Sequence, residues 1–543
     1  MPLSHSAHVD TFCRDNLPSP DEWPEFLFDL PGLDYPPRLN CAVELLDAVA
    51  DRLGDHRPCL RAPGGDPWSY GDVRRVSNQI AAVLSEDHGM VPGNRVLLRG
   101  PNTPWLVACW FGVLKAGAVA VTTIPLLRAG ELATIAEIAC VDFALCDWRF
   151  SDELRSSGIP NLRIVEYGGN GGLTSAIRAK PGVFAPVDTA ADDVALLAFT
   201  SGTTGRPKAT MHFHRDVLAN ADTFSAHLLR PDSDDVFTGT PPLAFTFGLG
   251  GLVVFPLRVG ASTLLIEKAT PDQLADLIAE HAVTVCFTAP TAYRAILAAG
   301  KADRLASVRR AVSAGEHLPA STWQGVFDAT GIRLIDGIGA TEMLHIFISA
   351  ADGDIRPGST GRVVPGYVGA VLDDNGQPQP SGVAGRLAVK GPTGCRYLAD
   401  SRQRTYVQNG WNITGDTYVR DSEGYFWYQA RSDDMIVSSG YNIAGPEVEE
   451  ALLSHPDISE CGVVGLPDEA RGQLVAAFVV LRQGAIGDER FVKELQDYVK
   501  ARIAPYKYPR RIVFLEELPK TATGKLQRFK LRELAPNPTA GAA

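Results

Sequence analysis

From Tyr70 onward the chain alternates helical and extended patterns: Asp72 to Leu84 reads as helix, Arg95 to Leu98 as strand, Pro104 to Lys115 as helix and Ala118 to Thr123 as strand. Such alternation implies parallel sheets whose faces are covered by helices. Four further apolar runs, Val194 to Phe199, Thr284 to Phe287, Val308 to Val312 and Arg333 to Ile335, each lead into a loop rich in Gly, Ser, Thr or Pro. Ligands of open parallel sheets gather beyond the strand C-termini, so a site is expected in these loops. After about Arg431 the pattern becomes helix (Glu447 to Leu453), strand (Cys461 to Gly465), strand (Val475 to Val480), helix (Asp488 to Ile503) and strand (Ile512 to Leu515), a compact second unit. At 543 residues the chain also exceeds the usual single core, so a large α/β unit followed by a small α+β unit is the expected architecture.

The stretch before about Asn40 holds Pro18, Pro20, Pro24, Pro31, Pro36 and Pro37, which disfavour continuous helix and predict a segment wrapped over the surface. A net charge of -12 argues against a broad basic face for nucleic acid or anionic membrane and leaves any anion site local. The nine cysteines are scattered without metal-site or disulfide-scaffold spacing, which suits a reducing cytoplasm. Met1 to Asp15 holds no apolar core flanked by a cleavage site, so no export is predicted, and the most apolar segment, Leu243 to Leu257, is too short to span a bilayer and reads as buried loop and helix.

The most informative segment is TSGTTGRPK, Thr200 to Lys208, directly after the apolar run Val194 to Phe199. Gly202 and Gly205 let backbone approach an anion, the hydroxyls of Thr200, Ser201, Thr203 and Thr204 can donate to phosphate oxygens, and Lys208 adds positive charge. Composition alone would favour a surface turn. The segment is not a nucleotide P-loop either, because Pro207 precedes the lysine and no Ser or Thr follows it.

The order of residues is what singles it out: TSGTTGRPK resembles the signature of the adenylate-forming superfamily, which includes acyl-CoA synthetases, luciferase and peptide-synthetase adenylation domains. Ala209 stands where most members have Gly. Further motifs follow in family order, so the resemblance runs from about Tyr70 to Arg532. SAGE, Ser313 to Glu316, resembles the adenine-side segment, which implicates Gly315 and Glu316. DGIGATE, Asp336 to Glu342, implies that Asp336 and Gly337 lie by adenine, Thr341 approaches the α-phosphate and Glu342 holds Mg2+, a cation that favours carboxylate and phosphate oxygens. ITGD implies a ribose contact for Asp416, whose acceptor-only oxygens match a vicinal diol. YQARSDD implies a ribose or phosphate contact for Arg431 and a hinge at Asp433, with Ala430 replacing the usual Gly. PKTATGKLQR implies that Lys525 is the lysine that stabilises charge during adenylation.

The resemblance implies an ATP-dependent carboxylate-CoA ligase with ATP and CoA as co-substrates: a large N-terminal domain, residues 1–432, and a small mobile C-terminal domain, residues 433–543. Rotation would bring the loop of Gly440 and Tyr441 toward CoA. PPLAFTFGLG, DGIGATEMLHIF and SGYNIAGPEVE look most like benzoate-CoA and 2-aminobenzoate-CoA ligases. The small Gly339 and Ala340 would leave volume in an acid pocket, with Phe247 as an aromatic wall; Phe247 equally suits ordinary core. A medium-chain or bulky polycyclic acid, or a carrier protein in place of CoA, remains the alternative. His212 and His214 have no third metal ligand at useful spacing and read as packing residues, and Cys395 lacks a base partner.

Overall fold

The computed structural model describes residues 3–200, 206–431, 434–438, 441–468, 471–503, 505–520 and 526–534. Among the described residues the strands form four sheets. A six-stranded sheet runs in the order Arg163–Tyr167, Phe143–Asp147, Arg95–Arg99, Val119–Thr123, Val194–Thr200 and Lys208–Phe213. All its neighbours are parallel except the last pair, which is an antiparallel hairpin. Local chemistry starts the helices that follow one another beside it. Ser69 and Asp72 form a reciprocal capping box that starts the Tyr70–Ala82 helix. The Pro104–Lys115 helix begins on a Thr103 cap with Pro104 in its first turn, as the sequence predicts.

The nine-stranded sheet has a parallel centre formed by Ile335–Gly339, Arg310–Ala314, Val285–Thr288, Val236–Gly239, Ser262–Leu264 and Pro58–Arg61. Ile346–Ser349 pairs antiparallel with Ile335–Gly339. Two expected strands therefore shift toward the C-terminus, so that Ser313, Asp336 and Gly337 belong to strands and not to the loops after them. The glycines permit this, since a Cβ at Gly337 would come within 2.7 Å of Ile346 side-chain atoms across the ladder. The Leu243 to Leu257 segment is helical, from Thr246–Leu249 through a π-helical turn at Gly250–Val254 into Phe255–Val259.

A third, antiparallel sheet (Val368–Leu372, Ala384–Lys390, Trp411–Arg420, Val407–Gln408 and Phe426–Arg431) lies outside the parallel-sheet expectation. Its sequence signals are turn residues: Gly376 and Gly424 take φ +78 and +85 after Asp373 and Asp421. The fourth sheet holds Tyr441–Ile443, Ile436–Ser438, Gly472–Leu481, Ile458–Asp468 and Arg511–Phe514, with the helices Gly445–Leu453 and Glu489–Lys500. The N-terminal segment wraps the surface as expected: the Leu27 amide bonds the Gly391 carbonyl at 3.0 Å and the Glu25 amide bonds Gly410 at 2.9 Å. No described helix is long and apolar enough to cross a membrane.

Candidate active site

The antiparallel register pairs Thr200 with Lys208 at the edge of the six-stranded sheet. Ser201, Gly202, Thr203, Thr204 and Gly205 lie outside the described residues. The lysine side of this segment is held by Arg402, which donates to the Arg206 and Pro207 carbonyls at 3.0 and 3.3 Å. Lys208 donates through Nζ to the Tyr397 hydroxyl at 2.6 Å and lies 3.6 Å from Glu342 Oε1. Tyr397 in turn donates its O–H to Glu342 Oε1. Burial, reinforced by the Glu342 charge, pushes the phenol far above its ordinary range and keeps it a donor. Neither Tyr397 nor Arg402 falls in a motif; only their tertiary position reveals them.

Glu342 is 6% exposed and sits in the short 3-10 turn Thr341–Met343, directly beyond the Ile335–Gly339 strand. The turn closes with Leu344 at φ +68, and the Leu344 amide bonds the Thr341 carbonyl at 3.2 Å. The parallel register Ser313↔Asp336 lays SAGE beside DGIG. Gly315 takes φ +91 at the end of its strand, a conformation favoured by glycine, and Glu316 beyond it is half-buried. Asp336 is partly exposed as a residue, yet its Oδ1 is enclosed without a hydrogen-bond partner. That enclosure drives the carboxyl well above the usual carboxylate range, opposed by the Gly337 amide.

In the antiparallel sheet Asp416 pairs in register with Arg431. Asp416 is 8% exposed and accepts from Arg431 Nη1 at 3.2 Å. Gly415, immediately before Asp416, takes φ +77, and a Cβ there would come within 3.0 Å of Arg431 Nη2. Ala430 is buried in a regular strand and takes no positive φ, so the backbone there makes no demand for glycine. Ala209 is likewise buried, opposite Phe199 in the hairpin.

Phe247 is half-buried in an aromatic cluster, its ring 5.6 Å from both Phe287 and His345. His345 is 3% exposed, and Phe255 and Phe224 also pack on it, at 4.5 and 5.6 Å. Neither His345 nitrogen has hydrogen-bond geometry, although the Phe247 carbonyl acts on the ring; burial dominates and lowers its pKa to about 3, which leaves it neutral. His345 carries no signal in the sequence that sets it apart from its neighbours. Ala340 packs against the same core. Gly339 has a different reason to be small from the pocket volume read in the sequence: a Cβ there would stand 2.7 Å from the His345 carbonyl oxygen and 3.0 Å from the Ile346 nitrogen, so close backbone approach demands the glycine.

Lys525, Asp433 and Gly440 lie outside the described residues, and Tyr441 is described through its backbone, which opens the Tyr441–Ile443 strand. Arg528 nearby pairs with Glu449 at 2.7 Å, and the Ala320 amide donates to Glu450 at 3.2 Å, joining the C-terminal unit to the chain just beyond SAGE. His212 and His214 are both fully buried, and among the described residues no group of three or more His, Cys, Asp or Glu is placed to hold a metal. Glu342 offers a single carboxylate, 3.6 Å from Lys208 Nζ. Magnesium binds in this way through one or two carboxylates completed by substrate phosphates, so the residues fit that ion.

Two family models match: AMP-binding enzyme over residues 46–397, and AMP-binding enzyme C-terminal domain over residues 447–525. The chain belongs to this AMP-binding, adenylate-forming family, within its benzoate and 2-aminobenzoate ligase branch. It is 34% identical to a benzoate-CoA ligase of Thauera aromatica over 92% of this chain and 97% of that protein. Its fold matches an anthranilate CoA ligase in complex with anthranoyl-AMP at TM-score 0.88 and 35% identity, covering 92% of this chain and 98% of that one. A benzoate CoA ligase from Burkholderia xenovorans LB400 matches at TM-score 0.84 and 31% identity, over 91% and 100% of the two chains.

Proposed function

We propose that this enzyme is an ATP-dependent aryl acid-CoA ligase that forms an acyl-adenylate and then transfers the acyl group to CoA. The observation that carries the reading is the convergence of Lys208, Tyr397 and Glu342 at the phosphate hairpin, in a fold shared with a ligase that holds an aryl adenylate. A carboxylate oxygen attacks the α-phosphorus of ATP and pyrophosphate leaves. Lys208 and Lys525 neutralise the charge that develops, Thr341 and the loop hydroxyls bind phosphate oxygens, and Glu342 would hold magnesium, which supplies further charge neutralisation when bound. Asp416 accepts from the ribose hydroxyls and Arg431 steadies it, while Asp336, Gly337, Gly315 and Glu316 border adenine.

The acid ring sits against Phe247 and Ala340, and the aromatic surroundings favour a benzoate or 2-aminobenzoate type of acid. Thiolysis follows when the C-terminal domain, residues 433–543, turns about Asp433 against residues 1–432 and presents Gly440 and Tyr441 to CoA. The nine free cysteines, eight of them buried, support a reducing cytoplasm as its setting.

The test is an acid panel of benzoates, 2-aminobenzoate, medium-chain and polycyclic acids, assayed for pyrophosphate release and acyl-CoA formation. Preference for a medium-chain or polycyclic acid, or turnover with a carrier protein and not with CoA, would overturn the substrate assignment. In parallel, Lys525→Ala should abolish acid-dependent pyrophosphate release while sparing thiolysis of supplied acyl-adenylate; undiminished release would count against its role.

A further inference from the structure

His212 stands in the Lys208–Phe213 strand, four residues after Lys208, and strand alternation puts the two side chains on one face. Its ring is fully enclosed, and Nε2 lies 2.8 Å from the Thr341 carbonyl oxygen. A carbonyl oxygen only accepts, so the ring proton is on Nε2. Nδ1 is a bare acceptor without a hydrogen-bond partner. Withholding a polar atom from water in this way has a desolvation cost that an apolar ring of similar size would not incur. What the histidine delivers in return is one donor to one carbonyl.

That carbonyl has a particular place. It belongs to the turn that presents Thr341 and Glu342, and the turn closes through Leu344 at a backbone angle that strains a leucine. Lys208 belongs to the six-stranded sheet and the Thr341 turn follows a strand of the nine-stranded sheet. The two halves of the phosphate site are thus built on separate frameworks, and His212 bonds one to the other.

We propose that His212 is a positioning residue for nucleotide activation: its Nε2–H clamps the Thr341 carbonyl and so fixes the Thr341–Glu342 turn against the strand that carries Lys208. The inference rests on the nucleotide roles proposed above for Lys208, Thr341 and Glu342. It differs from a packing role in that only the ATP-dependent half of the reaction depends on the clamp.

The experiment compares His212→Phe, which fills the space without a donor, with His212→Gln, which keeps an N–H at the reach of Nε2. ATP binding is measured by calorimetry, adenylation by pyrophosphate release and thiolysis with supplied acyl-adenylate. His212→Phe should weaken ATP binding and slow adenylation on the order of tenfold, the loss of one buried hydrogen bond. The acid KM and the thiolysis rate should stay within about twofold, and His212→Gln should recover most of the loss. Wild-type ATP binding in His212→Phe, no recovery in His212→Gln, or an equal fall in both half-reactions would overturn the proposal. Glu342→Gln serves as the control: if it too leaves ATP binding and pyrophosphate release intact, the nucleotide roles fail and the clamp falls with them. If Glu342→Gln is impaired while His212→Phe is silent, the clamp alone is wrong.

Discussion

Gly339→Ala separates two explanations for a small residue beside the proposed acid site. If Gly339 exists to leave pocket volume, an added methyl should shift acid preference toward smaller acids with little loss of stability. The structure argues otherwise, because the new Cβ would meet the His345 carbonyl oxygen at 2.7 Å, its carbon at 2.8 Å and the Ile346 nitrogen at 3.0 Å. All three are backbone atoms, so no rotamer change relieves the contact and the strand pair must move. Overpacking of this kind costs about 1–3 kcal/mol, a factor of roughly 5 to 150 in an equilibrium constant. The movement falls on the bulge between Ile338 and Gly339 and is passed directly to Thr341 and Glu342. Gly339→Ala should therefore lower the denaturation midpoint and reduce adenylation of every acid in the panel by a similar factor. Ala340, extended at φ -139 and ψ 152, already carries a Cβ; Ala340→Leu should instead change the order of acid preference. Unchanged stability in Gly339→Ala together with a selective loss of the larger acids would refute the backbone explanation.

Three further outcomes are expected. Glu342→Gln should raise the magnesium concentration needed for half-maximal pyrophosphate release; an unchanged magnesium dependence would remove Glu342 as the metal-side carboxylate. Asp216→Ala should destabilise the fold by about 3–5 kcal/mol, because it strips the partner from the fully buried Arg396, bonded at 2.7 Å and enclosed by Phe213 and Phe26. A urea-unfolding difference below about 1 kcal/mol would show that the aromatic faces suffice for the guanidinium. Acid should destabilise the protein through its buried histidines: burial holds His212 at about 4 and His214 and His345 at about 3 in the fold, whereas 6.5 is their ordinary value. The unfolded chain then binds more protons, so this stability is complete above 6.5 and falls as pH drops toward 4 and 3. His345→Phe should flatten the fall of the urea midpoint between those limits, and an unaltered slope would exclude His345 as a contributor.

Much of the parallel framework was legible because its signals are local. The Pro104–Lys115 helix carries its own cap and first-turn proline, and the Val194–Thr200 strand announces itself as an apolar run before Gly and Thr. The antiparallel Val368–Arg431 sheet escaped because its strands are only partly buried and carry no continuous apolar run, so that only the Asp and Gly turn residues mark it. Strand ends were displaced at DGIG because glycine suppresses the apolar pattern while allowing a neighbouring strand to approach.

The sequence by itself determined the order of the family motifs, and with them the residues expected to meet ATP, since phosphate loops, carboxylates and lysines write their chemistry into adjacent positions. Tertiary structure alone decided that Tyr397 bridges Lys208 and Glu342, that Arg402 holds the hairpin, that His345 stands among aromatic rings and that His212 reaches Thr341. These contacts join residues as far apart as 196 positions, and neither composition nor periodicity records which distant side chains a fold will bring within hydrogen-bond distance.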